Sequence, residues 1–135
     1  MSNITQVVNE DKNMKTLKKS VIAAGLDKVL SGTGPFTVFA PSDLAFEKMG
    51  KEELDNLMKS ENRAKLTDLL NQHVVSGKIN FKDLKDGEKL KTVNGKELSV
   101  HVKDGHVTIG NAKILGHDVQ TSNGVIHSLD AVIKN

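Results

Sequence analysis

Cysteine is absent, and with it disulfides, thiolate nucleophiles, zinc–cysteine sites and iron–sulfur clusters. Tryptophan and tyrosine are absent too, leaving Phe36, Phe39, Phe46 and Phe81 as the aromatics. All four lie in apolar patterns, which assigns them to packing rather than to base stacking, a sugar platform or a cation cage. Arginine occurs once, at Arg63, so the bidentate forks that grip phosphates and base edges are scarce. No charge sign dominates: 19 basic and 17 acidic residues leave a net charge of +2, with the lysines interleaved among acids. Nucleic acid is therefore not an expected partner. Long apolar runs are missing as well. The longest, Val21 to Ala24, falls far short of the ~20 residues of a membrane-spanning helix.

The pattern that is present changes period along the chain. Asn3 or Ser2 can cap a helix from Ile4 to Asn9, and Met14, Leu17, Val21 and Ala24 recur at helical spacing before Gly25. Leu26, Val29 and Leu30 make a further amphipathic turn. Phe36 to Ala40 is continuous, apolar and β-rich, which is a buried strand ended by Pro41. Ser42 caps a helix beginning at Asp43, with Leu44, Ala45, Phe46 and Met49 as its apolar side. Leu54, Leu57 and Met58 form another stripe. Ser60 can cap the helix in which Leu66, Leu69, Leu70 and His73 fall on one face.

The last third is β. Asn94-Gly95 and Asp104-Gly105 are hairpin turn signals between alternating segments, because a type I′ turn needs positive φ at both central residues. The second turn pairs His101 with Thr108 and Lys103 with His106. Strands are expected over Ala112 to Val119 and Gly124 to Ile133, the latter with Val125, His127, Leu129, Ala131 and Ile133 on one face. Length and pattern give one α+β domain over residues 1–135.

Three segments in this order resemble the fasciclin domain family. Gly34 to Phe46 (GPFTVFAPSDLAF) and Asn123 to Ile133 (NGVIHSLDAVI) match its two signature motifs, and Leu69 to Gly77 (LLNQHVVSG) matches its central tyrosine–histidine motif. The resemblance covers about Ile4 to Ile133. It implies a β-sandwich wedge with α-helices packed beside it. It further implies an adhesion or extracellular contact module that is secreted, periplasmic or attached to the cell surface. Ser2 and Asn3 lead directly into a helical pattern, so no targeting segment is read in the chain. The lysine-rich, cysteine-free, single-domain form is similar to bacterial members. Gln72 stands where the family has tyrosine; if that position packs against the fold, Gln72 is expected near the surface. Asp118-Val119 occupies the place of an aspartate–isoleucine pair linked to integrin binding in some animal members; valine for isoleucine is a mild change, and integrin recognition is not assumed.

From these readings the expected partner surface is His117, Asp118 and Val119, leading into Asn123 and Gly124. Phe39, Pro41, Phe46, His73 and His127 are expected to be structural, both histidines lying on apolar stripes. His101 and His106 share a polar face, but two imidazoles without a third ligand make a weak metal site, so no metal or other cofactor is expected. His127 and Ser128 are adjacent on a strand and point to opposite faces, and no nucleophile elbow, zincin or phosphate-loop motif occurs. The expectation is a monomeric, non-catalytic module for an extracellular protein or envelope component. The alternative is a small-ligand, glycan or lipid binder with a pocket between helices and sandwich, or a groove along Leu44 to Met58.

Overall fold

In a computed structural model, residues 3–133 are described apart from 13, 29, 33, 94 and 111, as are all their side chains except those of 60, 117 and 118. Val29 and Asn94, read above as part of a stripe and a turn, thus lie outside the described residues.

The helical half begins at α1 (Ile4–Glu10), where Asn3 and Gln6 form a reciprocal capping box. Next, α2 (Lys15–Ala24) ends at Gly25, whose φ of 73° provides the left-handed C-cap. The expected strand is β1 (Phe36–Pro41). Ser42 then caps α3 (Asp43–Met49), accepting from Ala45 N–H and donating to Leu129 C=O at 2.9 Å. Asp43 also serves its neighbour, because its carboxylate accepts from Thr16 N–H near the start of α2 at 2.9 Å. After α4 (Lys51–Leu57), a 3₁₀ turn at Ser60–Asn62 leads into α5 (Arg63–Asn71). Asn62, not Ser60, occupies the N-cap position, and it makes no side-chain cap bond.

The β half comprises β2 (Val74–Ser76), β3 (Lys89–Lys91), β4 (Glu97–Lys103), β5 (His106–Ile109), β6 (Ala112–Thr121) and β7 (Gly124–Leu129). One sheet runs β2-β1-β7-β6-β5-β4-β3. The β1–β7 pair is parallel and the other pairs are antiparallel. A bridge from Val75 to Thr92, with Val93 N–H donating to Val74 C=O, brings the end of β3 back beside β2. The sheet therefore nearly closes into the wedge that accompanies the helices. At the second hairpin Asp104 and Gly105 have φ of 52° and 80°, and His101 pairs with Thr108 as the two-residue turn requires.

Two cores share this sheet. Helical side chains, including Leu17, Phe46, Leu66 and Leu70, pack on Val38, Ala40 and Ile126. Inside the wedge, Phe39, Leu98, Val100, Ile109, Ile114 and Leu129 meet. Strands β1 and β7 are thus buried on both faces, which corrects the alternating reading of the last strand. It also ends at Leu129 rather than Ile133, and Ile133 reaches the wedge core from beyond it.

Candidate functional site

Strand β6 is too long for its partner. Between the pairs Ile114–Leu129 and Val119–Ile126, β6 advances five positions while β7 retreats three, so β6 carries two extra residues. They are accommodated in successive irregularities around Gly116. Gly116 N–H donates to Ser128 Oγ at 2.8 Å, and a Cβ on Gly116 would meet that same oxygen at 2.8 Å. Only glycine allows this approach without displacing Ser128.

The bulged segment borders a cleft of about 440 Å³ between the helical layer and the sheet. Its apolar walls include Leu44, Leu115 and Val119, which are 51%, 53% and 43% exposed. Ser42, Asp43, Asp11 and Ser128 supply its polar edge. Leu44 is expected on the packed side of α3; it faces this cleft, while Ala45 and Phe46 are buried and Met49 packs against the helical core beside them. Sequence reasoning missed Leu115. Its signal was the adjacent pair Ile114-Leu115, which interrupts an alternating strand immediately before Gly116.

The expected partner residues separate here. Val119 lines the cleft. The His117 and Asp118 side chains lie outside the described residues. Asn123 is buried and committed internally, which corrects its placement on a docking surface. Its amide donates to Leu30 C=O at 2.7 Å and Gly32 C=O at 2.8 Å, while its side-chain oxygen accepts from Ile4 N–H at 3.0 Å. Gly124 is buried against β1, where a Cβ would fall on the Phe36 carbonyl.

Both motif histidines point inward. His73 Nδ1 donates to Leu69 C=O at 2.7 Å, and its Nε2 accepts from Ile133 N–H at 2.9 Å. This neutral tautomer ties α5 to the chain's last described residue. Burial pushes its pKa down to about 4, against a smaller upward pull from the Leu69 carbonyl. His127 Nε2 donates to Ile79 C=O at 2.8 Å, and its ring stacks on Phe39 with centroids 5.6 Å apart. Phe39 and Phe46 are buried, and Pro41 is the last residue of β1. Gln72 corrects another expectation. It is 4% exposed rather than near the surface, and its Nε2 is buried without a hydrogen-bond partner among the described residues.

Comparison with known proteins gives these motifs a context. The fasciclin domain model matches residues 12–135. The chain belongs to the fasciclin family. It is 41% identical over 130 residues to protein sll1483 of Synechocystis, an alignment spanning 96% of this chain and 72% of that protein. Against transforming growth factor-beta-induced protein ig-h3 of Sus scrofa, identity is 34% over 133 residues, covering 98% of this chain and 19% of the relative. Its fold superposes on a FAS1 domain pair from the insect cell adhesion molecule fasciclin I with a TM-score of 0.89 at 20% identity. That match covers 99% of this chain and 51% of that one. The α+β wedge is therefore the family fold. The helices of this fasciclin chain provide no membrane-spanning segment among the described residues.

Proposed function

We propose that the chain is a non-catalytic interaction module acting outside the cytoplasm, and that it holds a protein partner at the cleft between α3 and the β6 bulge. The observation that carries this reading is the convergence of Leu44, Leu115 and Val119, three exposed aliphatic side chains, on one recess. Isolated exposed aliphatics need no explanation, whereas clustered ones beside a built-in bulge mark a contact site. Family membership supports adhesion as the biological setting. The inward histidines and the Ser128–Gly116 contact support a structural use of the polar motif residues. The mechanism is rigid docking, in which an apolar side chain of the partner fills the recess and the acidic edge orients it.

A second reading rests on volume. A cleft of about 440 Å³ is within the size range of small-ligand sites, so an apolar small molecule is the competing occupant. Amide NMR of the labelled chain, titrated with extracellular and envelope fractions from its source, separates these readings. Shifts around residues 42–44, 115–119 and 126–128 that survive dialysis and vanish on protease treatment of the fraction support a protein partner. The same shifts after protease treatment, lost on dialysis, support a small ligand. Shifts confined to other surfaces, or their absence, overturn the cleft assignment.

A further inference from the structure

The register of the β half gathers basic side chains that look scattered in the sequence. On the outer face, Lys89 lies opposite Ser99, His101 opposite Thr108, Lys103 opposite His106, and Thr108 opposite Lys113. Lys89, His101, Lys103, His106 and Lys113 are all exposed, while the intervening Leu90, Val100, Val102 and Val107 turn toward the wedge core. Directly opposed residues sit roughly 5 Å apart at Cβ, and residues two apart on a strand roughly 7 Å apart. The five side chains thus form a continuous band across β3, β4, β5 and β6.

Among the described residues no carboxylate belongs to the band itself, although Asp86, Asp104 and Asp130 border it. Glu97 is at its far end, opposite Lys91. Asp86 is turned to the β4 backbone, accepting from Val102 N–H at 3.0 Å, and Asp104 lies in the hairpin turn. Asp130 accepts from Lys113 N–H but lies 3.8 Å from the ammonium of Lys48. Among the described residues, none of the five takes part in an ion pair.

We propose that this sheet face binds an anionic polysaccharide, whose repeated carboxylates or sulfates track the Lys89–His101–Lys103–His106–Lys113 band. The chemistry of the face favours that class of polyanion. The band carries no Phe, Tyr or Trp for base stacking. Its charged groups are lysine ammoniums, set beside two histidines, while the one arginine, Arg63, is in α5, so bidentate phosphate forks are absent from it. It also contributes no exposed aliphatic side chain for insertion into a lipid surface. Lysine charges spaced across adjoining strands suit an extended, hydrated anionic chain, and their mutual repulsion is relieved when that chain binds. The band adjoins the α3–β6 cleft at β6, where Lys113 and Leu115 are two positions apart, but it contains none of the cleft's lining residues and the proposal does not depend on that cleft's occupant.

The test uses the whole chain and three probes: polygalacturonate, dextran sulfate and uncharged dextran. Wild type is expected to bind one or both polyanions, to ignore uncharged dextran, and to weaken steeply with added salt. The double variant K103E/K113E is expected to lose affinity at least about tenfold, following the energetic scale of lysines near an anionic surface. Lys51→Glu, an exposed charge reversal on α4, is expected to change affinity less than about twofold. K103Q/K113Q provides the same test, with a smaller loss, if the double glutamate variant fails to melt cooperatively. Preference for polygalacturonate identifies carboxylate as the recognised anion, and preference for dextran sulfate identifies sulfate. Equal binding of uncharged dextran, an unchanged double variant, an equal loss in Lys51→Glu, or tighter binding of a single-stranded oligonucleotide overturns the proposal.

Discussion

Leu44, at the first turn of α3, and Val119, on the bulged part of β6, line the same cleft although 75 positions separate them in sequence (119 − 44). Sequence alone offers the Leu44 stripe and the loop at Val119 as alternative docking surfaces. The fold makes Leu44 and Val119 walls of one cleft. A single charge in that recess is expected to disturb binding without disturbing the fold. Leu115→Asp replaces a half-exposed side chain, and such surface changes usually stay within about 0.5 kcal/mol. Its Tm is expected to match wild type, while binding of the envelope partner falls at least about tenfold, the scale of losing one anchor residue. Comparing Tm with partner affinity checks this; unchanged affinity removes Leu115 from the interface.

His73 predicts an acid-sensitive fold. Its pKa is about 4 in the folded chain against an ordinary 6.5, because burial penalises the charged ring. Between those values the unfolded chain binds a proton that the folded chain does not. Stability contributed by neutral His73 is therefore present above pH 6.5 and is lost progressively as pH falls toward 4. The full difference is on the order of 3 kcal/mol. Urea midpoints measured from pH 7 to pH 4 are expected to fall, and His73→Leu is expected to flatten that slope. The same variant leaves Ile133 N–H without its acceptor, so at pH 7 it is expected to cost about 1–3 kcal/mol. An equally steep acid limb in His73→Leu would show that other groups cause it.

Much of this architecture is written locally. Asn3, Ser42 and Gly25 announce helix ends through their own side chains or backbone freedom, and Asp104-Gly105 fixes the register of its hairpin. What the sequence hides is mostly nonlocal. Val125 to Leu129 reads as an alternating strand, yet β7 separates two cores and buries both faces. Leu44 reads as part of an apolar helix side with Phe46, yet two positions along α3 turn it to the other side, and only the β6 bulge makes a recess for it there. Asn123 is a turn residue by type, and only the approach of Leu30, Gly32 and Ile4 makes it an internal clamp. The cation band follows from four-strand register, which no run of sequence displays.

Asn123 is therefore expected to behave as a core residue. Replacing it with alanine strands two carbonyls and the Ile4 N–H around a small void, although both carbonyls keep lone pairs for water. A loss of about 2–4 kcal/mol is expected from those broken buried bonds. Gly124→Ala is expected to be at least as damaging, since its Cβ overlaps the Phe36 carbonyl in the β1–β7 pair. Denaturant melts of both variants check the assignment. Near-wild-type melting of Asn123→Ala, paired with weakened partner binding, would return Asn123 to the docking surface.

Gln72 offers the opposite result, a substitution that stabilises. Its Nε2 is buried with no hydrogen-bond partner, and an unsatisfied buried amide costs about 1–3 kcal/mol relative to a satisfied one. Methionine has nearly the same length and flexibility but needs no partner. Gln72→Met is expected to stabilise the chain by about 1 kcal/mol, a rise of about 4 °C in Tm for a domain of this size. Gln72→Ala also removes the amide but leaves a void, so it is expected to gain nothing or to lose stability. The pair of variants separates removal of a polar group from change of volume. A lower Tm in Gln72→Met would mean that the amide contributes a bond in solution, through a bound water or an alternative rotamer, and would place the stabilising role of this position in its polarity.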